Sequence, residues 1–308
     1  MSAIRNEEWA TRRRAILAGR HWSGPNGLRP RWHHGAFSLL LATLGRAFAF
    51  TPWHARGVRN ALDLELTSLD LKVEGLPAAF DGYRILHVSD SHLDILPAVA
   101  DVAARLLDGV EVDLLAITGD VHGRERHALR QSVEPLQRAL ARVVVHDRRL
   151  AVLGNHDPVE MIEALEELGI ETLVNRTTTL SRSGAVLHVT GLDDVHNFYS
   201  PAAQAALDQK VDGCRIALVH SAEVADHAAS AGCALYLCGH THAGQVCLPG
   251  GRPVFTQLVR CRHAASGVWR EGAMVGYTSP GLGVSPPALR FNCKGGAALI
   301  TLRSGGSE

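Results

Sequence analysis

Two imidazoles, two residues apart, stand on a glycine-flanked turn in the stretch GHTHAGQ, which runs from Gly239 to Gln245. The apolar run ALYLC comes just before this turn and has the length of a buried strand. A packed structural histidine needs no such turn, whereas side chains that must approach a metal ion closely do. His240 and His242 are therefore candidate metal ligands, and the rest of the chain can be searched for their partners.

Four other apolar runs also end in side chains that bind metals, within the motifs SDSH, TGD, GNHD and VHS. The candidates in these motifs are Asp90, His92, Asp120, Asn155, His156, Asp157 and His220. Each motif alone is weak, because a single histidine after a strand is more often packed or at the surface. Taken together, apolar runs that all end in His, Asp or Asn are difficult to explain by packing alone.

The ligand types indicate which ions this set would bind. Carboxylate, amide oxygen and neutral imidazole suit manganese, iron or zinc, and no thiolate is in the set. The set contains more side chains than one ion needs, but it suits two ions about 3.5 to 4 Å apart that share a bridging carboxylate. We therefore predict a site for two divalent metal ions, with manganese favoured and iron or zinc as alternatives.

Two kinds of element alternate along the chain and must position these residues. Apolar runs of strand length alternate with helix-like stretches, the runs at 83–90, 112–120 and 149–157 and the helix-like stretches at 97–110, 124–142 and 158–169. This alternation is typical of βαβ units with parallel strands. Because ligands of open α/β sheets bind beyond the carboxyl ends of the strands, residues far apart in the chain can converge there.

The ordered motifs D-x-H, GD, GNHD, a single His and GHxH span residues 83–245 and resemble those of the calcineurin-like metallophosphoesterase superfamily. The resemblance implies an α/β fold, a four-layer αββα sandwich of two mixed sheets flanked by helices. The metal ligands it implies are Asp90, His92, Asp120 and His242 for one ion, and Asp120, Asn155, His220 and His240 for the other. Asp120 would bridge the ions, and His156 matches the catalytic histidine of the family, which is not a ligand.

A second resemblance bears on the substrate. The stretch YTSPGLGVSPPALRFNCKGGAALITL, together with GHTHAGQVCLPGG, resembles a bacterial subgroup of membrane-associated phosphodiesterases. Some members of that subgroup hydrolyse the pyrophosphate of UDP-2,3-diacylglucosamine in lipid A biosynthesis. KGGA lacks an acidic residue usual in that subgroup. GDVHGRE, with Gly123, also departs from the GDxxDRG motif of protein phosphatases, which argues against that branch.

We therefore expect a hydrolase that uses a hydroxide held between two cations to attack a phosphodiester or pyrophosphate bond. His156 would stabilise or protonate the leaving group. Candidate substrate-binding residues are His122 and Arg124, which follow Asp120, and His196 in the stretch HNFY. A soluble nucleotide phosphodiesterase or phosphomonoesterase is the alternative, and a non-catalytic scaffold of the same fold is a third hypothesis.

The N-terminal segment differs in composition from the rest. Residues 1–60 hold ten arginines and two acids, although the formal net charge of the chain is zero and gives no case for nucleic-acid binding. The apolar run Phe37–Phe50 is too short to span a bilayer, which needs about 20 residues. We divide the chain into a basic extension, 1–64, and a metallophosphoesterase domain, 65–304. The extension suits either an anchor on an anionic membrane surface or a helical segment packed on the domain.

The sequence also bears on the location of the protein and on the state of its cysteines. Without a recognisable export signal, we expect the protein in the cytoplasm, with peripheral contact to the inner face of the membrane if the extension is an anchor. The pattern says nothing about oligomeric state. The six cysteines form no C-x-x-C pair and are expected to be free thiols.

Overall fold

The computed structural model describes residues 7–18 and 51–305. Its helices are α1 (Glu7–Leu17), α2 (Pro52–Ala61), α3 (Ala98–Leu106), α4 (Arg130–Leu140), α5 (Met161–Glu167), α6 (Pro201–Asp208) and α7 (Ala225–Ser230). Short 3₁₀ turns lie at Ala78–Phe80, Ala222–Val224, His242–Gly244 and Arg262–Ala264.

Twelve strands of this part of the chain form two six-stranded sheets. The first sheet contains β1 (Leu64–Val73), β2 (Arg84–Val88), β3 (Glu111–Ile117), β4 (Val144–Ala151), β5 (Glu171–Thr172) and β12 (Gly295–Ser304), in the order β1-β12-β2-β3-β4-β5. The second contains β6 (Arg176–Arg182), β7 (Ala185–Gly191), β8 (Arg215–Leu218), β9 (Leu235–Cys238), β10 (Gly267–Glu271) and β11 (Met274–Thr278), in the order β10-β11-β9-β8-β7-β6.

Both sheets are mixed, with a parallel centre. Strands β2 to β5 run parallel in the first sheet, and β7, β8, β9 and β11 run parallel in the second. Antiparallel pairs join β12 to β2, β6 to β7 and β10 to β11. Because the central strands of each sheet are parallel, their carboxyl ends emerge at one edge, as the alternation of strands and helices predicts.

Three apolar layers hold the sheets and helices together. Alternate residues of a strand face opposite sides, so Ile85 joins the core between the two sheets with Leu237, while Leu86 packs toward helices α3 and α4. On the far side of the second sheet, Tyr236 belongs to an apolar cluster that includes Ala203 of α6. The order of layers is helices, sheet, sheet, helices, which confirms the predicted αββα sandwich.

One predicted helix boundary is wrong for a local reason. The helix expected from residue 124 begins only at Arg130. The Asp94 carboxylate accepts hydrogen bonds from the backbone N–H groups of Gly123 and Arg124 and from His127 Nδ1, at 2.7 to 3.0 Å. A buried carboxylate that captures backbone donors holds the segment 123–127 in a loop instead of a helical turn.

Part of the predicted N-terminal extension lies outside the described residues. This includes residues 19–50 with the apolar run Phe37–Phe50, where membrane contact was expected. Within 7–18 and 51–305, no helix combines the length and the apolar character that crossing a bilayer requires. The six cysteines are free thiols, as predicted, with Cys261 and Cys293 half-buried.

Candidate metal centre

The predicted ligands and the predicted catalytic histidine all follow carboxyl ends of strands. Asp90 and His92 follow β2, Asp120 follows β3, Asn155 and His156 follow β4, His220 follows β8, and His240 and His242 follow β9. The first three of these strands belong to one sheet and the last two to the other. The candidate site therefore lies where the carboxyl-end edges of the two sheets meet.

A first group of side chains consists of Asp90, His92 and His242. One ligand atom from each lies within 4.8 Å of the others, and all three residues are buried. His242 Nε2 is 3.5 Å from Asp90 Oδ1, and the rings of His92 and His242 stack with centroids 5.1 Å apart. The three donors converge closely enough for a single cation to contact them all.

A second group consists of Asp120, His220 and His240, which are buried and again lie within 4.8 Å of one another. His220 Nε2 is 3.0 Å from Asn155 Oδ1, so the amide oxygen joins this group. His240 Nδ1 is 3.2 Å from His220 Nε2. The group therefore offers one carboxylate, one amide oxygen and two imidazoles.

Asp120 joins the two groups. Its Oδ2 lies 3.6 Å from His92 Nε2 in the first group and 3.3 Å from His220 Nε2 in the second. Its Oδ1 accepts a hydrogen bond of 2.8 Å from the backbone N–H of His156. One carboxylate oxygen thus faces both groups, while the other orients the turn that carries His156.

The backbone at the site adopts conformations that most residues avoid. The side chains at positive φ include Asp90 (50°), His92 (37°), Asp120 (52°), His240 (70°) and His242 (51°). Left-handed backbone at non-glycine residues costs free energy and concentrates at functional sites. Neighbouring glycines permit the close approach: a Cβ on Gly239 would lie 2.0 Å from Asp90 Oδ2, and one on Gly154 would lie 2.1 Å from Asp120 Oδ1.

Several buried polar atoms of the site fit cation binding because the protein leaves them unsatisfied. Four such atoms have no hydrogen-bond partner among the described residues: Asp90 Oδ1, His92 Nε2, His240 Nε2 and His242 Nδ1. A buried polar atom without a partner costs free energy, and native structures contain few of them. Asp90 Oδ1 and His92 Nε2 face other ligands, and bound divalent cations would relieve them, so the residues fit the predicted metals.

Burial and charge set the protonation of these ligands. Burial lowers the pKa of His92 to about 4 and holds the pKa values of His240 and His242 well below their ordinary value. Imidazoles with such pKa values are neutral at pH 7, which is the form that binds metals. Burial alone would raise the pKa of Asp120, but the imidazoles of His220 and His156 lower it well below its ordinary value, so this carboxylate is ionised.

The pKa of His220 is shifted in the opposite direction from those of His92, His240 and His242. Burial alone would lower its pKa, but the carboxylate of Asp120 beside it raises that pKa to about 10. A cation bound beside Asp120 would therefore displace a proton from His220.

Backbone carbonyls aim two of the imidazoles. His92 Nδ1 donates to the carbonyl of His122 at 2.9 Å, and His220 Nδ1 donates to the carbonyl of Thr118 at 2.8 Å. Each bond fixes the tautomer and leaves Nε2 pointed at the other ligands. Such bonds behind the ligands are typical of metal-binding histidines.

The predicted catalytic and substrate-binding residues have different surroundings. The half-buried ring of His156 lies at the edge of the first group, 5.5 Å from the His92 ring. His196 is buried, with its ring 4.3 Å from that of His240. The buried ring of His122 contacts Ser132 Oγ, so this residue meets the ligands through its carbonyl, and Arg124 is exposed. Their roles toward substrate stay predictions.

Sequence reasoning missed buried residues that hold the site loops. Asp94 fixes the loop of His122, Arg290 donates to the carbonyl of His242 at 3.1 Å, and Arg13 of α1 contacts the GNHD turn. Only Asp94 had a sequence signal, since it lies two residues after His92, just beyond the SDSH motif.

A sandwich of two mixed sheets whose strand ends bring together two histidine–aspartate groups suits a metal-dependent hydrolase. The sequence model of the calcineurin-like phosphoesterase family matches residues 83–244. The chain therefore belongs to the calcineurin-like phosphoesterase family. It is a metal-dependent hydrolase that acts on phosphoric esters, as the motif order predicts.

Relatives in bacteria and vertebrates carry matching names. The chain is 30% identical over 251 residues to the uncharacterized metallophosphoesterase YkuE of Bacillus subtilis (strain 168), covering 78% of this chain and 86% of that protein. It is 25% identical to the phosphodiesterase YaeI of Escherichia coli (strain K12), covering 71% of this chain and 82% of that protein. It is 28% identical to a transmembrane protein with metallophosphoesterase domain of Bos taurus, covering 59% of this chain and 45% of that protein.

Proposed function

We propose that this phosphoesterase hydrolyses a phosphodiester or pyrophosphate bond with two divalent ions, manganese being the first to test. The observation that carries the proposal is the position of Asp120, whose Oδ2 faces imidazoles of both groups. Divalent ions at such a site lower the pKa of water toward about 7 and so supply hydroxide as the nucleophile at neutral pH.

The protein's own groups would complete the reaction. Asp120 orients the GNHD turn through its hydrogen bond to the backbone of His156. The half-buried imidazole of His156 would then donate a proton to the leaving oxygen, which is general acid catalysis. His196, whose ring lies beside His240, is the candidate for contact with the substrate. Hydrolysis of a diester is also supported by the likeness to YaeI, which is named a phosphodiesterase.

A hydrolysis panel tests the proposal. Metal-free protein would be reloaded with manganese and offered an aryl phosphodiester, an aryl phosphomonoester and a UDP-linked lipid. We expect cleavage of the diester or of the UDP-linked pyrophosphate in preference to the monoester, and loss of activity when a chelator is added. Preference for the monoester would favour the phosphomonoesterase alternative, and no cleavage at all would favour a scaffold.

A second, narrower proposal is that the substrate is lipid-linked. The segment that follows the GHTH turn bends back on itself, since the Val254 N–H donates to the Val246 carbonyl at 3.1 Å. It exposes Leu248, Val254 and Phe255 by 52%, 62% and 55%. Single exposed apolar side chains are ordinary, but several on one loop beside a site indicate contact with an apolar ligand or a membrane. This loop would receive acyl chains and bring the enzyme to a membrane surface.

Replacing Leu248 and Val254 together by serine tests the lipid-linked substrate. We expect the double variant to lose activity on the UDP-linked lipid and to sediment less with anionic liposomes, because apolar area is removed from the contact. Activity on the water-soluble aryl diester should be unchanged. Val186→Ser, at an exposed position of β7, is the matched control. Equal activity of the double variant and wild type on the lipid would contradict the proposal.

A further inference from the structure

Helix α1 inserts one arginine behind the GNHD turn. Arg13 is fully buried, although it lies 141 residues from Gly154 in the chain. Its Nη2 donates to the carbonyls of Gly154 and Asp157, and its Nε also donates to the Asp157 carbonyl, at 3.0 Å. These two carbonyls bracket Asn155, an expected ligand, and His156, the expected catalytic residue.

The charge of Arg13 is balanced by a second loop of the site. Its Nη1 pairs with the carboxylate of Asp193, which is buried and also accepts a hydrogen bond of 2.6 Å from Trp9 Nε1. The ring of Phe198 lies 4.1 Å from the guanidinium carbon. A buried cation is costly unless it is paired and hydrogen-bonded. The surroundings of Arg13 meet both conditions, and the same guanidinium ties α1 to two loops at once.

The GNHD turn depends on this contact for part of its hydrogen bonding. Inside the turn, the Asp157 carboxylate accepts from the backbone N–H groups of Gly154 and His122, at 2.8 and 2.9 Å. Outside the turn, the donors to the Gly154 and Asp157 carbonyls come from Arg13. Without them these buried carbonyls would lose donors, which costs free energy unless the turn changes conformation.

We propose that Arg13 is a positioning residue, which holds the GNHD turn so that Asn155 and His156 keep the geometry needed for hydrolysis. The kinetic part of this inference rests on the proposed function, whereas the structural part does not. Displacement of a reacting group by about 1 Å costs about 10²-fold in rate. Lysine would keep the charge but would lack the planar fork that reaches both carbonyls and Asp193 together.

Full-length variants test the proposal through kinetics. In Arg13→Ala, kcat on the aryl phosphodiester with manganese should fall about 10²-fold, while KM changes less, because Arg13 is fully buried and does not itself contact the substrate. Guanidinium chloride below denaturing concentration should restore part of kcat, and Arg13→Lys should be intermediate. Arg14→Ala is the matched control, since this adjacent arginine is exposed and pairs at the surface with Glu160.

Hydrogen exchange of metal-free protein gives a readout that needs no activity. Amides of residues 152–157 should exchange faster in Arg13→Ala, slow again with guanidinium, and match wild type in Arg14→Ala. If the alanine variant does not fold, Arg13→Lys provides both measurements. Wild-type kcat and exchange in the Arg13 variants, or equal losses in Arg14→Ala, would overturn the proposal. Faster exchange in Arg13→Ala with a wild type that cleaves no phosphoester would instead overturn the proposed function and leave the positioning role.

Discussion

Asp120→Ala is expected to empty both metal sites at once and to lower kcat/KM on an aryl phosphodiester by about 10³-fold or more. The loss of one group that stabilises transition-state charge costs about 10²–10³-fold. Asp120 faces His92 in one group and His220 in the other through a single oxygen, so its removal takes a carboxylate ligand from both. The effect should therefore exceed that of any change confined to one group.

Manganese bound per chain, measured after dialysis, distinguishes this role from a general loss of structure. Asp90→Ala is the informative comparison, because it removes the same buried side chain from the first group alone. We expect Asp90→Ala to keep the ion of the second group and Asp120→Ala to keep neither. Circular dichroism and thermal unfolding of the metal-free variants would check that both are folded. Retention of both ions by Asp120→Ala would contradict the bridging role.

The strand-end chemistry was predictable because each motif is local. SDSH, TGD, GNHD, VHS and GHTH each combine an apolar run with polar residues that follow it. A run of strand length predicts where the chain is extended, and its last residue predicts where side chains emerge. The family resemblance then supplied the layered fold, which the two packed sheets confirm.

The pairing of distant strands was not readable from a single sequence. Strand β12, close to the C-terminus, inserts between β1 and β2, with Leu64 opposite Gly295 in the parallel pair. The half-polar pattern of β1 gives no hint of this partner, because register depends on contacts across the sheet. The same limit applies to how two separate sheets bring His220 and Asp120 within 3.3 Å of each other.

Residues that support the site through buried backbone contacts also escaped prediction. Arg290 is fully buried and donates to the carbonyls of His242, Gly281 and Gly283. In the sequence it is an ordinary arginine in a proline-rich stretch, and nothing nearby marks it as buried. Arg13 likewise stands in a run of three arginines, of which it alone is buried. Such roles depend on tertiary contacts, which composition and periodicity do not encode.

His156→Ala is expected to lower kcat by about 10²–10⁴-fold on a diester with a poor leaving group, which is the usual contribution of a general acid. The ring of His156 is half-buried beside the first group, and its own backbone N–H is fixed by Asp120 Oδ1 at 2.8 Å. This position lets the imidazole reach a leaving oxygen while its backbone stays held by the ligand. Both bound manganese ions should remain, because His156 is outside both ligand groups.

The dependence on leaving group separates proton donation from a merely structural effect. A nitrophenolate leaves without a proton, so His156→Ala should lose far less activity on a nitrophenyl diester than on an alkyl diester. His146→Ala, which removes an exposed imidazole of β4, is the matched control and should keep wild-type rates on both substrates. An equal loss of activity on the two diesters would indicate that His156 binds the phosphate oxygens. Loss of bound manganese would indicate that His156 is a metal ligand. A large effect on the alkyl diester alone would show that the imidazole acts at the leaving oxygen, on the side of the phosphate opposite the attacking hydroxide.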